Sequence, residues 1–309
     1  NDTYTPWTKN EIGTGYETIW DTGGRDTIVN PGSAGATIDL RAATLKQEPG
    51  GGGFVSFVSG VFGGYTIANG VKIENAIGGS KADTLIGNEF NNRLDGRGGK
   101  DIMIGGKGND TYIISQADDV VSEQANGGKD SVKTGVLSLS LADYSNIENL
   151  KLSGNADLDL TGDGGANLLV GNKGANKILG KGGEDNLRGG GGRDILNGQG
   201  GSDVIKGQGG NDKLVGGGGF DRLLGSAGND RMLGGAGGDT LNGQVGNDRM
   251  TGGKGGDTFI FSGKIGRDVI TDFNKSQDML NLSQKLWSGQ LTEKQVVNRF
   301  ADIVDGHVQ

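Results

Sequence analysis

The chain of 309 residues has no cysteine, which excludes disulfides and thiolate metal sites; the absence by itself fits the cytosol as well as the cell exterior. It has one histidine, His307, near its end. One imidazole cannot build the two-histidine H-E-x-x-H zinc site of metallopeptidases, and a Ser-His-Asp triad would have to borrow that tail position. Catalysis by this chain is therefore not expected. No apolar run reaches the length that crosses a bilayer. Thirty basic side chains face 38 acidic ones, for a net charge of −8. In residues 162–260 eleven basic groups alternate with eleven acidic ones, so nucleic acid has no basic patch to bind. The opening Asn1-Asp2-Thr3-Tyr4 is neither an initiator Met nor a secretory leader, and the chain reads as a fragment of something longer.

What the chain has in excess is glycine, 65 residues against 3 prolines. Residues 162–260 divide into eleven consecutive nonamers without insertion, from GDGGANLLV through GQGGNDKLV to GGKGGDTFI. Position 6 is Asn167 and Asn176, then nine aspartates: Asp185, Asp194, Asp203, Asp212, Asp221, Asp230, Asp239, Asp248 and Asp257. Positions 1 and 4 are always glycine. From the third nonamer they are Gly180 and Gly183, Gly189 and Gly192, Gly198 and Gly201, then Gly207 and Gly210, Gly216 and Gly219, Gly225 and Gly228, and last Gly234 and Gly237, Gly243 and Gly246, Gly252 and Gly255. Position 8 is always large and apolar. This is the G-G-x-G-x-D-x-U-x calcium repeat.

The physics of the nonamer follows from its letters. Positions 1 to 6 read as a turn in which glycine supplies positive φ and lets the backbone come close to a ligand. Positions 7 to 9 read as a short strand with position 8 inward. Two nonamers close a coil of eighteen residues, and stacked coils form two parallel sheets about 4.8 Å from rung to rung. Asp n then lies beside Asp n+18, with glycine-loop carbonyls between them. The oxygen-only cage suits a hard cation taking about 6–8 oxygens. Without the ion, carboxylates about 5 Å apart repel by roughly 1–3 kcal/mol per pair. Glycine also carries the largest entropy cost on ordering. The bare stretch is expected to be unfolded, and about seven ions are expected here, one for each Asp/Asp pair. A flexible linker has no reason to keep Asp and an apolar residue in phase.

Upstream, residues 78–119 form a first repeat block, worn but in phase, with Asp83, Asn92, Asp101, Asp110 and Asp119 at position 6. A few ions are expected across residues 1–119. Residues 1–77 read as a β-rich cap, with strands near 17–20, 27–29, 36–42, 54–61, 65–68 and 71–77. Residues 120–161 are a spacer holding a helical turn at 141–144, a strand at 147–152, and Asp157 and Asp159, which read as solvated. Residues 261–309 read as a mixed strand and helix cap: strands at 268–273 and 279–283, Trp287 packed within, and a helix over 292–303. The fold class expected is all-β, a parallel β-roll in two repeat blocks closed at both ends.

Trp20-Asp21-Thr22-Gly23-Gly24-Arg25-Asp26-Thr27 resembles the W-D-x-G-G-x-D-T element that opens the C-terminal domain of serralysin-type secreted metalloproteases. Residues 71–80, VKIENAIGGS, are similar to the segment leading into that family's first calcium repeats. The resemblance implies calcium ligands at Asp21, Gly23, Asp26 and Glu74; Lys72 stands where the family commonly has Thr. It further implies a secreted, extracellular module that stays unfolded in low cytosolic calcium, passes a type I secretion apparatus and folds outside. An uncleaved signal usual at the family's extreme C-terminus is expected to have been cut off, since the chain stops at His307-Val308-Gln309. The alternative is an adhesin or matrix module whose roll contacts polysaccharide or a cell surface. A run of exposed aromatics would favour it, whereas outward positions carry mainly Lys, Arg, Asn and Thr, with Phe220 the exception.

Overall fold

The computed structural model describes residues 1–6, 16–43, 54–61, 64–262 and 266–283, together with the backbone of 303–304 and 307–308. The chain forms two compact units, Asn1–Leu137 with Asp143–Asn149, and Ser138–Ala142 with Leu150–Gln309. Both are β-solenoids. No described helix is long and apolar enough to cross a membrane.

In the first unit, one parallel sheet runs through Thr3–Tyr4, Thr27–Val29, Asn75–Ile77, Arg93–Asp95, Thr111–Ile113 and Ser131–Thr134. A second runs through Val120–Ser122, Ile102–Ile104, Thr84–Ile86 and Ala36–Asp39, and Phe57–Val58 closes its edge in antiparallel sense. Tyr16–Ile19 and Gly64–Ile67 form a separate parallel pair. Between the sheets lie Ile28, Ile38, Leu85, Leu94, Met103 and Tyr112, all fully buried. The strands expected in the N-terminal cap are present but mostly shorter.

In the second unit, nonamers alternate between two parallel sheets. Leu187 pairs with Ile205 and Ile205 with Leu223 on one sheet, while Leu196 pairs with Leu214 and Leu214 with Met232 on the other. The partners are eighteen residues apart, so two nonamers make one coil, as the letters imply. Position 8 is the core: from Leu169 through Ile205 and Leu223 to Phe259 its side chains are between 0% and 2% exposed. Each such burial is worth about 1.5–3 kcal/mol against an exposed chain. One inward side chain per nonamer leaves no reserve, so a polar substitution at any of them would open its coil.

Two local expectations are corrected. Strands are six residues long, as in Lys177–Gly182 and Val204–Gly209, and run from position 7 through position 3 of the next nonamer. The first half of the presumed turn is therefore strand, because residues at positions 2 and 3 pair across coils as well, Gln208 with Ser226 for example. Positive φ also falls elsewhere than assumed. It occurs at position 4, as in Gly201 (φ 117), and at position 2, including Lys181 (φ 80), Gln199 (φ 74) and Gln208 (φ 78). Position 1 does not need it. Glycine is needed there for space: a Cβ on Gly189 would overlap Asp194 Oδ2 and come within 2.7 Å of the Gly207 carbonyl.

Leu141–Asp143 forms the expected helical turn as a 3₁₀ element, and Asn149–Leu152 the expected strand. Asp157 and Asp159 are exposed, yet each has structural work: their Oδ1 atoms accept the N–H groups of Ala175 (2.8 Å) and Lys177 (2.9 Å). Val269–Ile270 and Met279–Leu282 continue the two sheets beyond the nonamers. Trp287 and the helix expected over 292–303 fall outside the described residues, except that Ile303 lies in a strand, Ile303–Val304, paired antiparallel with His307–Val308.

Candidate metal sites

The aspartates at position 6 form two ladders along the second unit. On one edge the N–H of Asp185 donates to Asp203 Oδ1 (2.8 Å), Asp203 to Asp221 (2.9 Å), Asp221 to Asp239 (2.9 Å) and Asp239 to Asp257 (2.9 Å). On the other, Asp194 donates to Asp212, Asp212 to Asp230 and Asp230 to Asp248, each at 2.8 Å. Oδ1 is thus used to hold the coil before. Oδ2 is not used: at Asp185, Asp194, Asp203, Asp212, Asp221, Asp230, Asp239 and Asp248 it is buried without a hydrogen-bond partner. A buried, unpaired carboxylate oxygen is among the costliest groups a fold can hold.

The surroundings of Oδ2 are oxygen. A Cβ on Gly180 would meet Asp185 Oδ2 and, at 2.9 Å, the carbonyl of Gly198, so both oxygens face the same bare glycine. The same holds for Asp203 Oδ2 and the Gly216 carbonyl over Gly198, and for Asp230 Oδ2 and the Gly243 carbonyl over Gly225. Position 4 carbonyls stack along the roll instead, that of Gly183 against Gly201 and that of Gly219 against Gly237. Burial pushes the carboxyls up, Asp185, Asp203 and Asp239 to about 6 and Asp194 and Asp230 to about 7. Neighbouring carboxylates add to the rise, while the N–H donated to Oδ1 opposes it. The fit to a hard divalent cation is good: a bare carboxylate oxygen beside carbonyl oxygens, no nitrogen or sulfur donor, and negative charge to be compensated.

A second kind of turn has no orphan. At Asn92, Asn167 and Asn176, Oδ1 accepts the N–H four residues earlier, from Asn88 (2.7 Å), Asp163 (2.9 Å) and Asn172 (2.9 Å). Asp83 and Asp119 do the same through Oδ2, accepting from Gly79 (2.6 Å) and Ser115 (3.1 Å). In the first block only Asp101 and Asp110 therefore keep a buried, unpartnered Oδ2. The difference lies at position 2. In every turn with an orphaned oxygen at Asp101, Asp110 or Asp185 through Asp248, the residue four before the aspartate has positive φ: Arg97, Gly106, Lys181, Gly190, Gln199, Gln208, Gly217, Ser226, Gly235 and Gln244. Its N–H makes no bond to the carboxylate. We call the two states open and closed turns.

Sequence reading missed the switch, although a signal for it exists. Each closed turn with Asn at position 6 has Asn or Asp at position 2. That side chain accepts the N–H two residues on: Phe90 to Asn88 (2.9 Å), Gly165 to Asp163 (2.8 Å) and Gly174 to Asn172 (2.8 Å). Such a side-chain turn competes with the positive-φ conformation. Reading in ninefold phase also missed ladder members beyond the repeats. Asp130, Asp268 and Asp278 accept from Asp110 (2.6 Å), Asp248 (2.9 Å) and Asp257 (2.9 Å) at offsets of 20, 20 and 21 residues.

At the N-terminal cap, Asp2, Asp21 and Asp26 bring carboxylate oxygens within 4.8 Å of one another. Asp26 is fully buried, its N–H donates to Glu74 Oε2 (2.9 Å), and its Oδ2 is an orphan. The Gly23 N–H and the Tyr4 hydroxyl donate to Asp21 (2.7 and 2.6 Å), and the tyrosine bond holds that carboxyl below the usual range. Of the four residues inferred by resemblance, Asp21, Asp26 and Glu74 offer carboxylates, while Gly23 here serves by its N–H; Asp2 joins them.

Fold and site together define a parallel β-roll of calcium-repeat type. Comparison with known proteins agrees. The RTX calcium-binding nonapeptide repeat (4 copies) matches residues 161–196, 188–223 and 224–259, and the family Peptidase M10 serralysin C terminal matches residues 8–169, more than half of the chain. The chain belongs to the serralysin C-terminal family. Among curated relatives, "Serralysin" from Photorhabdus laumondii subsp. laumondii and from Photorhabdus luminescens are each 44% identical over 78 residues, and "Serralysin G" from Dickeya chrysanthemi 42% over 78 residues. The match covers 25% of this chain and 14% of each relative's length.

Proposed function

We propose that this chain is a calcium-triggered folding module of a secreted, serralysin-like metalloprotease, unfolded during type I secretion and folded outside the cell, and that it carries no catalytic site of its own. The ions sit at the open turns of the second block, Asp185 through Asp248, with Asp257 closing the series, and at Asp101, Asp110 and the Asp2, Asp21 and Asp26 cluster, with Glu74 against Asp26. One observation carries the reading: eight carboxylate oxygens of the second block are buried, unpartnered and in register, Asp185 Oδ2 to Asp248 Oδ2. A cation that binds only the folded state adds its binding free energy to folding, which is what a glycine-rich coil with a core one side chain deep requires. Asp83 and Asp119 are closed by their own backbone and hold the first block without an ion. A polysaccharide-binding reading has less support, since Phe220 is the one exposed aromatic of the second block.

The test is far-UV circular dichroism of the chain with calcium and with chelator. Calcium at the millimolar scale of extracellular modules, about 10⁻⁴–10⁻³ M, should convert a disordered spectrum to β, and magnesium should not, because it keeps its water and a tighter shell. A β spectrum indifferent to excess chelator would sink the reading. Casein hydrolysis by the pure chain, abolished by His307→Ala, would overturn the non-catalytic part.

A further inference from the structure

Asp110 is an open turn whose partner is out of phase. Eighteen residues on stands Gly128, and the ladder bond goes to Asp130 instead, the N–H of Asp110 donating to Asp130 Oδ1 (2.6 Å). This coil is two residues longer than a pair of nonamers. The extra length accompanies a half-buried acid at position 1, where the repeats carry glycine: Glu123, just after the strand Val120–Ser122. Carboxylate oxygens of Asp110, Glu123 and Asp130 all lie within 4.8 Å of one another.

Closeness of acids alone proves nothing; the surroundings do more. Asp110 and Asp130 are each only 1% exposed, and Asp110 Oδ2 is buried without any partner. It is aimed at the cluster. A Cβ on Gly105 would collide at once with Asp110 Oδ2, Glu123 Oε1 and the hydroxyl of Tyr112, so three oxygens converge over one bare glycine. On the far side, a Cβ on Gly127 would sit 2.7 Å from the Gly106 carbonyl, 2.9 Å from Glu123 Oε2 and 3.1 Å from the Gln124 carbonyl. The Tyr112 hydroxyl donates to Glu123 Oε1, and the Gln124 N–H donates to Glu123 Oε2 (2.8 Å), which fix the glutamate. Among the described residues, none of the ion pairs involves the three acids. Three carboxylates with oxygen neighbours and no basic partner must have their charge offset, by a bound cation or by protons.

We propose that Asp110, Glu123 and Asp130 form a separate calcium site outside the ninefold register, with the carbonyls of Gly106 and Gln124 beside it. The donors are all oxygen, which selects a hard divalent cation over zinc or copper. The site extends the calcium reading above and rests on it. It gives the spacer coil the same ionic lock as a repeat. Tyr112 is a positioning residue: its ring fills the core and its hydroxyl holds Glu123 in place.

The experiment is native mass spectrometry of the full chain in calcium, comparing wild type with Glu123→Gln, with circular dichroism in the same buffer as a check of folding. The amide keeps the size of the side chain and still accepts from Tyr112, but removes the charge. The variant should bind one calcium fewer than wild type. An equal count overturns the proposal and means that the three acids share protons. Wild type without calcium would overturn the wider reading as well, so the two failures are distinct. Should Glu123→Gln not fold, Tyr112→Phe decides with terbium as probe. It leaves all three acids, and should keep the wild-type ion count but lose part of the terbium emission sensitised by tyrosine; unchanged emission overturns the site.

Discussion

The entry coils of the second block and the coils that follow them have the same repeat and opposite solutions. At Asn167 and Asn176 the amide accepts the N–H of position 2, and its own N–H₂ donates to Asp163 (3.1 Å) and to the Leu158 carbonyl (2.7 Å). Such a turn satisfies itself and needs nothing from solution. From Asp185 to Asp248, position 2 swings to positive φ, withdraws its N–H and leaves Oδ2 bare. That turn keeps a buried carboxylate oxygen with no hydrogen-bond partner. Under the proposed function, calcium dependence resides in the state of position 2 as well as in the charge at position 6. Under the same reading, the closed coils would give the roll an ion-independent end from which folding propagates between neighbours.

The largest break comes from removing an acid in the middle of the open stack. Asp221 holds Asp203 through Oδ1 (2.9 Å) and donates to Asp239 (2.9 Å). Asp221→Ala should damage two adjacent sites and loosen the coil that buries Leu223. A calcium titration followed by circular dichroism should show a midpoint raised several-fold and a less cooperative transition. Loss of a buried hydrogen bond alone costs about 1–3 kcal/mol.

pH should sharpen the contrast next. The open-turn carboxyls rise from an ordinary 3.8 to about 6 at Asp185 and about 7 at Asp194. A folded pKa above the unfolded one favours the folded state fully below the unfolded value, and that help is lost as pH rises through the folded value. Ion-free protein in chelator should therefore be most β-rich near about pH 4 and lose structure toward about pH 7. The calcium midpoint should move the other way, rising as pH falls below about 6, because protons compete for the same oxygens. An ion-free spectrum that is insensitive to acid would break the link between the orphaned oxygens and calcium.

The coil length, the inward column from Leu169 to Phe259 and the phased acids were all legible, because they depend on residue type at a fixed period. Two things were not. Ladder members at Asp130, Asp268 and Asp278 are hidden by insertions of two or three residues, although each is an acid two before a buried or half-buried apolar residue, Val132, Ile270 and Leu280. And position 2 in the open state is often Lys, Gln or Ser, residues with no preference for positive φ, so the coil stack and not the side chain imposes it.

A subtler change tests whether the turn or the charge decides. Asn176→Asp puts an acid into a closed turn whose position 2, Asn172, still holds its side-chain bond to Gly174 (2.8 Å). Asp83 shows that a carboxylate can accept the position 2 N–H and stay closed. The variant should bind no extra calcium by native mass spectrometry and lose about 1 kcal/mol from the amide bond to Leu158. One added ion would mean that charge alone opens the turn.

The smallest effect is expected at Asp163, the same residue type in the same block but at position 2. Its Oδ1 accepts the Gly165 N–H (2.8 Å) and the Asn167 amide (3.1 Å), both inside one closed turn. Neither bond reaches an orphaned Oδ2. Asp163→Ala removes one negative charge, as Asp221→Ala does, yet should leave the calcium midpoint nearly unchanged and cost at most about 1 kcal/mol of local stability. The two variants titrated under one salt condition separate coordination from bulk electrostatics, since screening acts on both alike. Equal shifts would mean that net negative charge draws the ion to the roll, and the phased sites would have to be abandoned.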